Sequence, residues 1–476
     1  MLDSGRALCK TMSRIAQGDE IVTCQCRQLL AIVARMTHSA LGRLILMAVL
    51  IVAARGAAQA GGTIFIHPDG AGANAWGAAR MLHHGPDSEL AWDRFEHVGI
   101  YTGHMKDSLT ATSHGGATTH AYGVKVVADS FGMDGERRVQ SLSGFDGSIM
   151  LEAIDAGGIR TGLVNSGHIC EPGTAAFVAH SPSRQNTDLI AAQVIESGVD
   201  VILSGGEKFL LPVGTEGRFG EGARKDGRNL IAAARKAGYK VVFSREELLA
   251  VDPSTTGKLL GVFAHSHTFN DWPEEMLAAA GKPTYNPEAP TLAEMMQVAV
   301  DILSRDDGKF LLVVEEEASD NFGNANNASG MLEALRRADQ AVDLGLELAA
   351  TLPRTMVVTA ADSDAGGAQV VCHSLSQENA FDPEQALPGR MNNAAPLDGV
   401  DGFLSKPFVS APDREGNRFQ FGIAWASYID VAGGIAAKAS GANAARLPVL
   451  ADNTDIYRLL YLNLFGRDLF AEDEAR

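Results

Sequence analysis

Residues 310–317 read FLLVVEEE, five apolar residues followed directly by three glutamates. Three further apolar runs end on acidic or glycine-rich turns in the same way: GTIFI (62–66) before HPDG, VDVIL (199–203) before SGG, and TMVVT (355–359) before AAD. Largely apolar strands of this kind are typical of a sheet that is covered on both faces. The pattern therefore predicts buried, mostly parallel strands whose carboxyl ends carry polar side chains.

Helical patterns separate these strands. One is LAEMMQVAVDIL (292–303), and another covers 331–349, where apolar residues recur every three or four positions. This alternation predicts an α/β fold, a three-layer α/β/α sandwich around a large, mostly parallel sheet. We interpret residues 61–476 as a single domain, in which the Pro-, Gly- and Asn-rich stretch 382–413 forms a lid or an insertion.

The composition excludes several classes of protein. Of the 476 residues, 46 % are hydrophobic and 21 % are charged, which is ordinary for a globular chain and excludes wholesale disorder. The chain has 40 Lys and Arg against 58 Asp and Glu, a formal charge of −18. Because an acidic surface repels phosphate backbones, we expect no nucleic-acid partner.

The first sixty residues are predicted to be a leader. Within 36–60, a lone Arg43 precedes the apolar run 44–54, and AQA (58–60) matches the small-residue cleavage pattern of a secretory signal peptide. The run is shorter than the roughly 20 residues of a membrane span, so we expect no stable span after its removal, with a membrane anchor as the alternative. Residues 1–35 resemble no leader, and our hypothesis is that Met36 is the true start. The expected location is periplasmic or secreted.

Acidic side chains follow three of the predicted strands. They are Asp69, the run Glu315–Glu317, and Asp362 with Asp364. In open α/β sheets, chemistry collects beyond the carboxyl ends of the strands. Several carboxylates at one sheet edge repel each other unless a cation neutralises them, so the pattern favours a metal site. The alternative is that these acids are solvated turn residues.

Three segments carry a resemblance to a known family. They are DGAG (69–72) followed by AAR (78–80), TSHGGATT (112–119) followed by GVK (123–125), and EPG (171–173) followed by AHSPSR (179–184). In this order, together with GKLLGVFA (257–264), PTLAEM (290–295) and FLLVVE (310–315), they resemble the alkaline phosphatase family. The resemblance implies a metal-dependent phosphatase that hydrolyses the monoesters of small phosphorylated substrates. It also implies a homodimer.

The resemblance also assigns roles by position. Ser113 is expected to attack phosphorus and to become transiently phosphorylated, while Arg184 holds two phosphate oxygens in a bidentate fork. A neutral serine is a weak nucleophile, so coordination to a metal is the simplest activation where no base is evident. The metal ligands that the resemblance implies are Asp69, Ser113, Glu171, Glu315, Asp320, Asn324 and Asp362. Asp364 is the nearby substitute for the histidine that is lost at Ser363.

This sequence departs from the family pattern at several of these positions. Thr112 stands where the family has the aspartate that anchors the arginine, and Gly173 stands where it has a threonine or serine ligand. Asn324 and Ser363 replace two zinc-binding histidines, and the third histidine falls near Ala426 if Asp430 is the matching acid. The oxygen ligands that remain favour Mg²⁺, or Mn²⁺ or Ca²⁺, over the Zn²⁺ that the family implies.

Alternatives remain open at this stage. One is a phosphodiesterase or sulfatase on the same scaffold, and another is a degenerate, non-catalytic relative that binds phosphate or metal. Glu316 would replace Glu315 if the register slipped by one residue. His265 and His267 could substitute for missing ligands, whereas we interpret His67 as a structural residue or as a neighbour of the ligands.

Overall fold

The computed structural model describes residues 61–305, 308–372 and 395–474. The strands are β1 Gly62–Pro68, β2 His97–Thr102, β3 Arg160–His168, β4 Val201–Gly205, β5 Tyr239–Val242, β6 Lys258–Val262, β7 Phe310–Glu316, β8 Met356–Thr359, β9 Asp364–Ala365, β10 Gln369–Cys372, β11 Asp398–Gly399, β12 Gly402–Phe403, β13 Phe408–Val409, β14 Gln420–Ala424, β15 Asp430–Val431, β16 Ile435–Gly441 and β17 Leu450–Asp452. The α-helices are α1 Ala73–His83, α2 Ser113–Tyr122, α3 Ile149–Ala156, α4 Pro172–Ala175, α5 Thr187–Glu196, α6 Leu230–Lys236, α7 Arg245–Leu249, α8 Glu274–Ala280, α9 Leu292–Leu303, α10 Ala318–Asn324, α11 Ala328–Thr351, α12 Asn453–Phe465 and α13 Leu469–Glu474.

Ten of these strands form the main sheet, in the order β17-β2-β16-β8-β1-β7-β3-β4-β6-β5. Every neighbouring pair is parallel except the two pairs that β16 makes with β2 and β8. Strands β1 and β7 at its centre are buried along their whole length. The predicted α/β sandwich around a large, mostly parallel sheet is confirmed.

Helices cover both faces of the sheet. On one face α11 packs against α1 and α9, and on the other α2 packs against α4 and α12. The sequence predicts the two helices at 292–303 and 331–349, and they are α9 and α11. A reciprocal cap sets the start of α9: Thr291 accepts a hydrogen bond from the Glu294 N–H, and the Glu294 carboxylate accepts one from the Thr291 N–H. Among the described residues, none of the helices has both the length and the apolar character of a membrane span.

A small second sheet lies beside the main one. Its strands run in the order β10-β14-β11-β12, and β13 also pairs with β14. The stretch 382–413, which we interpret from sequence as a lid or insertion, thus contributes β11, β12 and β13 to a sheet, while its residues 382–394 lie outside the described part. The leader predicted over residues 1–60 also lies outside the described part, so the division into leader and domain stays a prediction.

Two buried acids under this small sheet lead to a pH prediction. Glu274 Oε1 accepts a hydrogen bond from the Ser329 N–H at 3.0 Å, but burial and the nearby Asp398 and Glu275 carboxyls raise the pKa of Glu274 to about 8. A raised carboxyl pKa means that the folded protein opposes ionisation of Glu274. The contribution of Glu274 to the free energy of unfolding is therefore fully present below pH 4.5 and is lost as the pH rises through about 8. Glu274→Gln is expected to raise the melting temperature near pH 9 by about 3 °C or more and to change it little near pH 5.

Thermal unfolding of the variant at the two pH values checks this expectation. Glu288→Gln is the matched control, because Glu288 is an exposed glutamate of the neighbouring loop. An equal change at both pH values, or none at either, would contradict the expectation.

Candidate active site

Five acidic side chains meet where the central strands end, and we call them the carboxylate cluster: Asp69, Glu315, Glu317, Asp320 and Asp362. Asp69 follows β1, the two glutamates end β7 or follow it directly, and Asp362 follows β8. Asp69, Glu317 and Asp320 each place a carboxylate oxygen within 4.8 Å of the others. The strand order puts β8, β1 and β7 side by side, so the parallel ends bring together residues that are distant in sequence.

Burial makes this cluster electrostatically costly without a cation. Burial raises the pKa of Asp69 to about 6, and burial together with the Asp69 charge raises the pKa of Glu315 to about 8. The pKa of Asp362 also lies well above its ordinary value, through burial and then through Asp69. At neutral pH burial therefore opposes ionisation of Glu315 and Asp362, whereas Asp69 is mostly ionised.

Six carboxylate oxygens of the cluster have no hydrogen-bond partner among the described residues. Both carboxylate oxygens of Asp69 and of Asp362, Glu315 Oε1 and Glu317 Oε2 are buried and accept no hydrogen bond from the described residues. Unpaired buried carboxylate oxygens are costly, and oxygen is the donor that hard divalent cations prefer. The donor set fits one or more divalent cations.

Consecutive glutamates at the end of β7 lie on opposite faces of the sheet. Successive side chains of a strand point to opposite faces, so Glu315 faces the cluster and Glu316 faces away from it. Glu316 Oε1 accepts hydrogen bonds from Ser166 Oγ at 2.6 Å and Tyr285 Oη at 3.0 Å. The sequence alternative, in which Glu316 takes the place of Glu315, therefore has no geometric support.

Ser113 is the first residue of α2 and lies beside the cluster. Thr112 caps this helix, because its hydroxyl accepts the Gly115 N–H at 3.2 Å and donates to the Ala128 carbonyl. The Ser113 hydroxyl is close enough to lower the pKa of Asp69, although burial outweighs it. One turn along, a Cβ on Gly116 would lie 2.4 Å from Asp362 Oδ2, so glycine is what lets Asp362 approach the helix.

Arg184 has a different anchor from the one that the resemblance implies. Thr112 is occupied as a helix cap, and Arg184 Nη2 lies 3.3 Å from Glu171 Oε2. His168 Nε2 and His267 Nε2 each lie 2.8 Å from Glu171 Oε1. Burial opposes ionisation of Glu171, but the two histidines outweigh it and hold its pKa well below the usual value. Glu171 is therefore held as a carboxylate that orients the guanidinium.

The presence of glycine at position 173, in place of a threonine or serine, has a steric explanation. A Cβ at this position would lie 2.0 Å from Glu315 Oε1. The Glu315 carboxyl, fixed at its other oxygen by a hydrogen bond from Asn165 Nδ2, occupies the space into which a threonine or serine would project. The change from a hydroxyl residue to glycine is thus matched by the position of Glu315.

The two remaining predicted ligands, Asn324 and Asp364, make contacts of their own with neighbouring residues. Asn324 Nδ2 donates to Asp320 Oδ1 at 3.0 Å and to Asp430 Oδ1 at 2.9 Å, and Asn324 Oδ1 accepts the Gly366 N–H at 3.1 Å. The Asp364 carboxylate packs against the backbone of Gly72 and Gly433, where a Cβ would lie 2.3 and 1.9 Å from its oxygens. Asn324 thus links two acids, and Asp364 packs between backbone segments.

Four residues of this site were not assigned as ligands from the sequence, although Glu317 belongs to the acidic run at 315–317. Glu317 has a signal in the period of two from Glu315, and His168 has one in ending a strand beside β7. Asp430, in the two-residue strand β15, raises the pKa of Asp320 and Asp362, although burial is the larger cause at both. The sequence names Asp430 only as the acid that sets the register near Ala426. From the sequence, His67 is interpreted as a structural residue or as a neighbour of the ligands. Of the pair His265 and His267, only His267 reaches the site, since His265 Nε2 lies 3.0 Å from the Glu221 carbonyl.

Fold and site together define an α/β sandwich with a buried, cation-fitting carboxylate centre beside a serine at a helix N-terminus. A model of the alkaline phosphatase family matches residues 62–397, and the chain belongs to this family.

Individual relatives agree with this assignment. The chain is 25 % identical to alkaline phosphatase of Escherichia coli over 395 residues, which is 76 % of each chain. It is 30 % identical to the repressible alkaline phosphatase of Saccharomyces cerevisiae over 328 residues, 64 % of this chain and 55 % of the relative.

Solved structures share the fold. Thermus thermophilus alkaline phosphatase superposes with a TM-score of 0.65 at 22 % identity, covering 88 % of this chain and 96 % of its own. A mutant of TAB5 alkaline phosphatase with Mg bound in its M3 site superposes with a TM-score of 0.63 at 18 % identity, covering 85 % and 99 %.

Proposed function

We propose that the protein is an exported, metal-dependent phosphatase that hydrolyses phosphate monoesters through a phosphoserine on Ser113. The observation that carries the proposal is the position of Ser113, at a helix N-terminus and close enough to Asp69 to lower its pKa, one helical turn before Gly116, which Asp362 approaches. Family membership supports the reaction class. The signal-peptide pattern of residues 36–60 supports export to the periplasm or the medium.

In this proposal the chain's own groups bind and orient the phosphate ester. Arg184, held by Glu171, presents its planar fork to two phosphoryl oxygens. The N-terminus of α2 adds a positive partial charge at Ser113, where the negative phosphoryl group would lie. Both features favour a bound phosphoryl group next to the Ser113 hydroxyl.

The reaction then proceeds in two displacements. Ser113 Oγ forms a bond to phosphorus while the bond from phosphorus to the leaving alcohol breaks, and water later cleaves the phosphoserine to release phosphate and restore the hydroxyl. A divalent cation held by the carboxylate cluster would lower the pKa of the Ser113 hydroxyl and offset the charge of the phosphoryl oxygens. We propose Asp69, Ser113, Glu315, Glu317, Asp320 and Asp362 as the residues that hold cations.

Three predicted ligands take other roles in the proposal. Glu171 orients Arg184, Asn324 joins Asp320 to Asp430, and Asp364 shapes the backbone around Gly72. The oxygen-rich donor set favours Mg²⁺, Mn²⁺ or Ca²⁺ for the site as a whole.

Hydrolysis by the purified protein tests the proposal. An aryl phosphate monoester is expected to turn over at least about 100-fold faster than the matching diester or sulfate ester, because Arg184 and the cations match a dianionic phosphoryl group. Chelation is expected to abolish turnover, and Mg²⁺ or Mn²⁺ is expected to restore it. Faster turnover of the diester or sulfate would assign the alternative reaction, and restoration by Zn²⁺ alone would contradict the metal preference.

A non-catalytic relative is the second candidate. The observation that favours it is the replacement of the family's metal-binding histidines, for example by Asn324, whose amide nitrogen and oxygen both hydrogen-bond to neighbouring groups. Binding of metal and inorganic phosphate without turnover of any ester would support this candidate over the first.

A further inference from the structure

His67 is a buried histidine with one nitrogen unused. It is the sixth residue of β1 and has no exposed surface. Its Nδ1 lies 2.8 Å from the carbonyl oxygen of Ala360. Since a carbonyl only accepts hydrogen bonds, Nδ1 carries the hydrogen, and in the neutral ring Nε2 keeps its lone pair. This Nε2 has no hydrogen-bond partner among the described residues.

The lone pair faces two carboxylates of the cluster. In the parallel register of β1 and β7, His67 lies opposite Glu315, so the two side chains project from the same face of the sheet. His67 Nε2 lies 3.5 Å from Asp69 Oδ1, and one ligand atom from each of His67, Asp69 and Glu315 lies within 4.8 Å of the other two. Asp69 and Glu315 also carry oxygens that have no hydrogen-bond partner within the described part of the chain.

The spacing suits ligands of one cation better than a direct hydrogen bond. A separation of 3.5 Å is long for a hydrogen bond between imidazole and carboxylate. Two ligand atoms that each lie about 2.1 Å from one ion at a tetrahedral angle are about 3.4 Å apart. The aromatic ring of Phe65, 5.7 Å from that of His67, and the ring of His120, 5.5 Å away, confine the imidazole. His120 is itself bonded to the Tyr101 hydroxyl at 2.7 Å.

We propose that His67 Nε2 is a metal ligand and that, with Asp69 and Glu315, it forms a mixed nitrogen and oxygen site for a borderline divalent transition metal. The Ala360 carbonyl holds the ring in the ligating tautomer, as outer-shell groups do at other histidine metal sites. At this position a nitrogen donor shifts the preference toward Co²⁺ or Zn²⁺ and away from Mg²⁺ and Ca²⁺, which take oxygen, while Mn²⁺ accepts both kinds of donor. The inference rests on the proposed function only in using two of the same carboxylates.

Pulsed electron paramagnetic resonance of bound Mn²⁺ tests the inference without any turnover. Metal-free protein receives one equivalent of Mn²⁺, and coupling to an imidazole nitrogen is expected in the native protein. His67→Gln is expected to lose this coupling and to bind Mn²⁺ at least about 10-fold more weakly, the scale of a lost ligand or its support. The double variant His168→Gln/His267→Gln is the matched control and is expected to keep the coupling.

Each result decides the matter. Absence of imidazole coupling in the native protein, its survival in a folded His67→Gln variant, or its loss in the double variant would overturn the inference. If His67→Gln does not fold, the native protein and the double variant still decide between these outcomes. A protein that shows the coupling but hydrolyses no ester would support this metal site and contradict the proposed phosphatase.

Discussion

Ser113→Ala is expected to lower turnover of an aryl phosphate monoester by about 10⁴-fold or more, because it removes the atom proposed to bond to phosphorus. Residual hydrolysis would come from water attacking an ester that Arg184 and the cations still bind. The measurement is initial rate against substrate concentration, and kcat is expected to fall while KM changes little. Ser108→Ala is the matched control, since Ser108 belongs to the same hydroxyl-rich loop and its hydroxyl accepts only the Thr110 N–H among the described contacts.

The covalent step has its own readout. Native protein quenched in acid during turnover is expected to carry a phosphate on the peptide that contains Ser113, as mass spectrometry would detect. The Ser113→Ala protein is expected to carry none. Full activity of Ser113→Ala, or phosphate on another residue, would contradict the assigned nucleophile.

Asp69→Asn is expected to lower turnover by about 10³-fold and to remove at least one bound metal, because it deletes a charge at the centre of the carboxylate cluster. Burial already raises the pKa of Asp69 to about 6, so the neutral, isosteric amide relieves a cost in the metal-free fold. The melting temperature of the metal-free variant is therefore expected to equal or exceed that of the metal-free native protein. Lost activity would then not be due to unfolding.

Metal content by elemental analysis, turnover and thermal unfolding together check this expectation. Asp398→Asn is the control for loss of a buried negative charge, since Asp398 lies in the small sheet and accepts hydrogen bonds from the Ala328 N–H and Trp425 Nε1. The control is expected to keep its metal and its turnover. Native metal content and native turnover in Asp69→Asn would remove Asp69 from the proposed site.

Much of the framework was predictable because it depends on local pattern. The apolar runs of β1, β7 and β8 are buried strands, and the amphipathic stretch 292–303 is α9. The convergence of Asp69 and Glu315 at one sheet edge also follows from general rules, since parallel strands end at the same edge. The roles assigned to individual ligands stay proposals.

The partners of each side chain were not predictable in the same way. Thr112 reads as a lost anchor for Arg184, yet the anchor is Glu171, which two histidines from separate segments hold ionised. Asp430 approaches Asp320 from β15, a two-residue strand that no sequence pattern predicted. Such contacts depend on how loops return to the sheet, and no short-range pattern encodes that path.

The sequence by itself determined the α/β architecture, the family and the presence of acids at the ends of central strands, because period, composition and motif order are local properties of the chain. Only the tertiary structure decided that Glu315 faces the cluster while Glu316 faces Tyr285, and that Glu171 contacts Arg184. It also placed the free nitrogen of His67 against Asp69. The physical reason is that strand register and the packing of distant segments fix which atoms meet, and both arise only when the whole sheet assembles.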